Sequence, residues 1–263
     1  MTRAAPGGAG MLGRVVLPAP VIRVAHRILH TLRPLIEEAG AIRPGTRLAR
    51  DFGSFGEASL INHPVATLFG AGNMHIGAET LIGRNATLAT GYGPDDTHTP
   101  VRALVIGDRC IIGAGAVVTA HESVEIGDDV WFGNLVFVSD AGHGYQDTET
   151  PIGRQLGSAD PVSIGSGSWI GHGAIILPGA RIGRQVVIGA GSVVRGIIPD
   201  HSVAVGVPAT VVRRLEPGTG WVDTRNRADV RPAWTPQEAA AALAGDVSGR
   251  QPGDAPDEVV APG

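Results

Sequence analysis

From Ile164 onward an aliphatic residue recurs at every sixth position, at Ile164, Ile170, Ile176, Ile182, Ile188 and Val194. Glycine follows at 165, 171, 183 and 189. Four residues after each aliphatic stands Ser168, Ala174, Ala180, Val186, Ser192 or Ile198, mostly small, as a second inward position at strand spacing requires. Each six-residue side therefore offers the core one large and one small residue. The same step appears upstream at Ile76, Ile82 and Leu88 and resumes in phase at Ile106, Ile112 and Val118. It restarts two residues displaced at Ile126, Phe132 and Val138, so loops interrupt the repeat. Three sides close one coil of about 18 residues, with coils about 4.8 Å apart. The pattern predicts an all-β prism with three faces. The recurring glycine reads as a corner where the backbone bends into a conformation that glycine or asparagine tolerates.

Phe52-Gly53 and Leu68-Phe69-Gly70 suggest that irregular coils begin near residue 50, which gives a prism over residues 50–214. In the N-terminal segment, residues 1–49, the spacing of Val24, Ile28, Leu32, Leu35 and Ile36 predicts a short amphipathic helix capping the prism. Residues 215–263 read as a largely irregular tail, helical at 236–244 and disordered at 246–263. Two segments leave the repeat, 89–105 and 139–161. Loops expelled at corners are where repeat scaffolds carry their sites, so function is sought there.

Composition narrows the chemistry. With 39 glycines and 4% aromatic residues, the core is built from small and aliphatic side chains. A net charge of -4 without any basic run argues against nucleic acid as a partner. All 21 basic residues are arginine, which excludes lysine Schiff-base chemistry and a P-loop lysine. The one cysteine, Cys110, excludes an intramolecular disulfide, and its place four residues after Ile106 predicts a buried structural thiol. Arg14, Pro18, Pro20 and Arg23 break the apolar stretch 11–24, so neither an export signal nor a membrane span is expected. A cytoplasmic protein with no membrane contact is the expectation.

Residues 126–145 (IGDDVWFGNLVFVSDAGHGY), 161–183 (PVSIGSGSWIGHGAIILPGARIG) and 186–214 (VVIGAGSVVRGIIPDHSVAVGVPATVVRR) resemble the hexapeptide acyltransferases of the maltose and galactoside O-acetyltransferase type. The resemblance implies a left-handed parallel β-helix, a homotrimer, and acetyl coenzyme A bound between neighbouring prisms, with no metal. The hand comes from the resemblance alone, because ordinary crossovers are right-handed. The family's catalytic histidine falls on His143. An imidazole can take the proton of an acceptor hydroxyl as the oxygen attacks a thioester, which makes His143 the expected general base. The resemblance lays the coenzyme along Gly133, Trp169, Gly171, His172, Gly189 and Ala190, with Arg195 and Arg213 as the cations for phosphate. Each glycine is also a repeat corner in its own right.

Departures limit the transfer. Arg195-Gly196 stands where relatives have Thr-Lys, which moves the cation by one residue. Positions that hold an acceptor-binding Asn and Asp in the galactoside enzyme fall on Gly113 and His121, so the acceptor is not carried over beyond a small molecule, carbohydrate by preference. The motif favours O-acylation, although relatives acylate amines on the same prism. Asp140 and Asp147 read as solvated loop carboxylates without an assigned role. Trp131 and Trp169, on otherwise aliphatic faces, suggest a subunit seam. Two rival readings stay in view. A γ-carbonic-anhydrase-like metal enzyme needs a close histidine pair, whereas His98, His121, His143 and His172 are dispersed. A non-catalytic scaffold differs from an enzyme by failing to bind acetyl coenzyme A.

Overall fold

The computed structural model describes residues 18–93 and 96–243, so the expected disorder at 246–263 lies outside the described residues. The chain divides into two units, residues 1–39 and 40–263. The first contributes a helix, α1 (Ala19–Gly40), none of whose residues is buried.

The second unit is a stack of short parallel strands in three sheets, one for each face of a prism. Six-residue sides leave room for only two to four extended residues between corners, which is why the strands are short. A polar face joins strands such as Leu104–Ile106, Val124–Ile126, Val162–Ile164 and Arg181–Ile182. Its outward residues include His75, Glu125, Ser163 and Arg181. The second, tryptophan face carries an unbroken outward column of Leu60, Leu81, Ile111, Trp131, Trp169, Val187 and Val203, each in parallel register with the next. On the third, phenylalanine face the outward column runs Thr67, Thr87, Val117, Phe137, Ile175 and Val193. The tryptophan face is thus apolar on the outside, the phenylalanine face is apolar from Val117 onward, and the polar face adds Val105 and Ile197 to its polar residues.

The inward positions match the repeat. Ile164, Ile170, Ile176, Ile182, Ile188 and Val194 are buried, and so are their small companions Ser168, Ala174, Ala180, Val186 and Ser192. Buried hydroxyls are satisfied within the stack: Ser168 donates to the Gly183 carbonyl at 3.1 Å and accepts from the Val186 amide at 3.1 Å. A polar atom left unpaired there would cost on the order of 1–3 kcal/mol.

The corner glycines answer to a different need from the one their position suggests. The left-handed conformation falls two residues later, at Gly167, Gly173 and Gly191, and at non-glycine residues including Asn85, Asp129 and Gln185. Gly133 and Gly171 are required instead by close approach between coils. A Cβ on Gly133 would lie 2.6 Å from the His172 amide nitrogen, and one on Gly171 would lie 2.5 Å from that of Ala190.

Cys110 is buried and its Sγ donates to the Gly127 carbonyl at 3.1 Å, while burial pushes the thiol pKa up. The thiolate is the reactive form. A thiol-specific chromogenic reagent should therefore label the denatured chain promptly and the native chain hardly at all.

Past the last coil the structure departs from an irregular tail. The strand Ser202–Gly206 turns back into Ala209–Glu216, which pairs antiparallel with Gly220–Asp223, and that strand pairs with Val230–Arg231. These strands extend the tryptophan face. They alternate around turns instead of repeating in sixes, so the hexapeptide phase carries no trace of them. A second helix, α2, spans Pro236–Leu243.

Candidate active site

Chain order fixes which residues share an edge. Each coil runs from the polar face to the tryptophan face, then to the phenylalanine face. The edge between the tryptophan and phenylalanine faces stacks Gly133, Gly171, His172, Gly189 and Ala190, each coil seated on the next. Trp169 stands beside this edge, 47% exposed and in register with Trp131, 56% exposed. Five of the coenzyme candidates are therefore neighbours. The glycines among them are also demanded by coil spacing, so their presence alone does not argue for a ligand.

A second edge, from the phenylalanine to the polar face, emits both departures from the repeat. One loop leaves after Thr90 and the other after Ser139, and the tight turn 121–123 lies between them. The second loop is ordered by its own hairpin, Ala141–His143 antiparallel to Leu156–Ala159. Gln155 braces it, donating to the carbonyls of Asp147 and Thr150 at 2.7 Å each. His143 is exposed, with Nδ1 3.3 Å from the Gln155 carbonyl oxygen. A carbonyl can only accept, so this contact keeps the proton on Nδ1 and leaves the lone pair on Nε2. That is the tautomer a general base needs.

Asp140 is not a solvated loop carboxylate. It is fully buried and accepts from the amides of His121 at 2.9 Å, Glu122 at 2.8 Å and Ser123 at 2.8 Å. Its Oδ1 also lies 3.3 Å from Nδ1 of His121. The residue at the root of the His143 loop thus ties down the turn of the preceding coil. The His121 ring packs against Tyr92 of the first loop, with centroids 4.5 Å apart. Burial first, and then the charge of Asp140, push the Tyr92 phenol up. His121, Asp140 and Tyr92 form a cluster that the repeat phase could not reveal, because it joins three successive coils.

Asp147 shapes its loop. Hydrogen bonds from the Thr150 side chain first, then from the amides of Glu149 and Thr150, hold its carboxyl below the usual range. In the first loop Asp96 accepts from the Thr99 hydroxyl at 2.5 Å and the His98 amide at 2.8 Å, and these bonds hold its carboxyl far down.

The two predicted phosphate cations differ. Arg195 is exposed and makes no ion pair among the described residues. Arg213 is engaged: it pairs with Asp229, lies 3.8 Å from Asp223, and has 14% of its side chain exposed. The antiparallel strands after residue 206 bring both carboxylates to its Nη2, while its buried Nη1 has no hydrogen-bond partner. Arg214, on the next position of the strand, is exposed. Among the described residues no three histidine, cysteine, aspartate or glutamate side chains converge as a metal site.

Residues 161–196 match the family described as bacterial transferase hexapeptide (six repeats), and residues 103–139 match the hexapeptide repeat of succinyl-transferase. A putative lipopolysaccharide biosynthesis O-acetyl transferase, WbbJ of Escherichia coli (strain K12), is 39% identical over 141 residues, covering 51% of this chain and 70% of that protein. The chain belongs to the hexapeptide-repeat acetyltransferases of the maltose and galactoside O-acetyltransferase type. Within that family, a galactoside O-acetyltransferase of Lactococcus lactis is 32% identical over 168 residues, 64% of this chain and 66% of that one. A probable acetyltransferase of Mycobacterium tuberculosis is 40% identical over 114 residues, and the chain spans only 38% of its length. Among solved structures, AntD, an N-acyltransferase from Bacillus cereus in complex with dTDP and 3-hydroxybutyryl-CoA, superposes with a TM-score of 0.53 at 23% identity, covering 63% of this chain and 84% of that one. That likeness speaks to the fold.

Proposed function

We propose that this acetyltransferase-family chain moves an acetyl group from coenzyme A to a hydroxyl of a carbohydrate or other small acceptor, with His143 as general base. The observation that carries the reading is the His143 tautomer, held by the Gln155 carbonyl at the head of the longer loop. Nε2 takes the acceptor hydroxyl proton as the oxygen bonds to the thioester carbonyl carbon. The tetrahedral adduct then collapses, the C–S bond breaks, and the imidazolium returns the proton to the departing thiolate. Transfer is direct, since the buried Cys110 offers no nucleophile. The coenzyme would lie along Trp169 and the edge of Gly133, Gly171, His172, Gly189 and Ala190, with Arg195 toward phosphate.

Support for a homotrimer comes from the two apolar faces. A closed ring of three heterologous contacts would cover apolar surface on each prism. Within one chain the His143 edge and the glycine edge are separated by the width of the phenylalanine face, so direct transfer needs the His143 edge of one prism beside the glycine edge of its neighbour. The family resemblance further supports left-handed coiling and, because acetyl coenzyme A is the donor, a cytoplasmic location. No described helix is long and apolar enough to cross a membrane.

Sedimentation velocity at micromolar concentration should return a trimer, and Trp169→Glu should shift it toward monomer. A monomeric wild type would remove half of the proposed groove. Tryptophan fluorescence and calorimetry should both register acetyl coenzyme A, followed by thiol release over a panel of sugars, sugar nucleotides, amino sugars and alcohols. Failure to bind any short acyl coenzyme A at about millimolar concentration, far weaker than ordinary substrate affinity, would favour a non-catalytic scaffold.

A further inference from the structure

Helix α1 sorts its residues by side. At about 100° per residue, Val21, Ile22, Val24, Ile28, Leu29, Leu32, Leu35 and Ile36 fall within an arc of roughly 160°. Arg23, His26, Arg27, His30 and Arg33 fall on the opposite side. Val24, Leu29 and Leu35 are each more than half exposed, and no residue of the helix is buried. An apolar surface of this length needs a partner, and three features select it.

The arc is broader than the narrow seam of a two-stranded coiled coil, and Pro34 sits inside the helix, which disfavours a second copy of α1 as the occupant. Acidic residues occur only at the C-terminal end, Glu37 and Glu38, so the segment 19–36 holds three arginines and no carboxylate in a chain of net charge -4. Arg33 is paired with Glu37 at 2.8 Å, whereas Arg23 and Arg27 form no ion pair among the described residues. Low overall hydrophobicity with sharp segregation and cationic residues on the polar side is the pattern of a helix lying in a bilayer interface. Such a helix needs no span, so the lack of one among the described helices does not bear on it.

We infer that α1 docks on an anionic lipid surface, its apolar arc at the acyl-chain boundary and Arg23 and Arg27 among the headgroup phosphates. The inference is independent of the catalytic reading, because it rests on residues outside the prism and is tested without turnover.

The full chain should co-sediment with vesicles of phosphatidylcholine containing phosphatidylglycerol, and about tenfold less with phosphatidylcholine alone. Arg23→Glu with Arg27→Glu should abolish that preference, and Ile28→Glu with Leu32→Glu should abolish binding to both. Because the second pair could also unfold the helix, a readout in the intact helix is needed. With Cys110 buried, Leu29→Cys can carry an environment-sensitive fluorophore. Its emission should shift to the blue on anionic vesicles, while the same label at Arg23→Cys should stay water-like. Equal partition into both vesicle types, no partition, or no blue shift at position 29 overturns the inference. So does a fall in association state of the Ile28→Glu, Leu32→Glu variant when the wild type ignores vesicles, for then a second copy covers the helix.

Discussion

His143→Ala is expected to lower thiol release with the best acceptor by roughly 100-fold or more, the usual size of a general-base contribution. The expectation follows from the tautomer. With Nδ1 committed to the Gln155 carbonyl, Nε2 is the only ring atom able to accept a proton, and alanine leaves nothing in its place. Acetyl coenzyme A affinity should hardly change, because the coenzyme candidates stand on the other edge. The turnover loss should therefore appear in kcat, and calorimetry with the variant gives the control. His143→Asn, which keeps a polar group but no comparable base, should be nearly as slow. Wild-type turnover in either variant would move the base elsewhere, and His121, with its Nδ1 beside buried Asp140, would be examined next.

The largest loss of stability is expected from Asp140→Ala. Three backbone amides, of His121, Glu122 and Ser123, point at one buried carboxylate. Each donor left without an acceptor costs on the order of 1–3 kcal/mol, and partial rehydration of the turn offsets some of it, so a net loss of about 3 kcal/mol is expected. Asp140→Asn retains an accepting oxygen and should fall between. A denaturant midpoint, compared at one protein concentration, reads the change. Turnover should also fall, since the same residue roots the loop that carries His143. An unchanged midpoint in Asp140→Ala would mean that water satisfies the turn and that the carboxylate is dispensable.

Most of the prism was written in the sequence because its core repeats. A six-residue period fixes which residues face inward, and the buried set follows Ile164 to Val194 with their small companions. What the period does not encode was misread or missed. The corner glycine reads as a bend, whereas its reason lies in the next coil, a neighbour about 18 or more residues away. Asp140 reads as solvated because it begins a loop; its partners are amides of the previous coil. The carboxylates Asp223 and Asp229 beside Arg213 leave no signal in the repeat, because the strands that bring them have no hexapeptide phase. The motif located His143, but only the hairpin register brought the Gln155 carbonyl to its ring.

Both long loops leave by one edge, between strands whose spacing is set by the turns of the stack and not by what hangs from them. Loop length at such a place is thermodynamically inexpensive, since each doubling adds only about 0.6 kcal/mol of closure entropy. Scaffold stability and loop identity are therefore separable: segments 91–102 and 141–160 can be exchanged between stacks, provided that Asp140 remains at the root to hold the turn beneath.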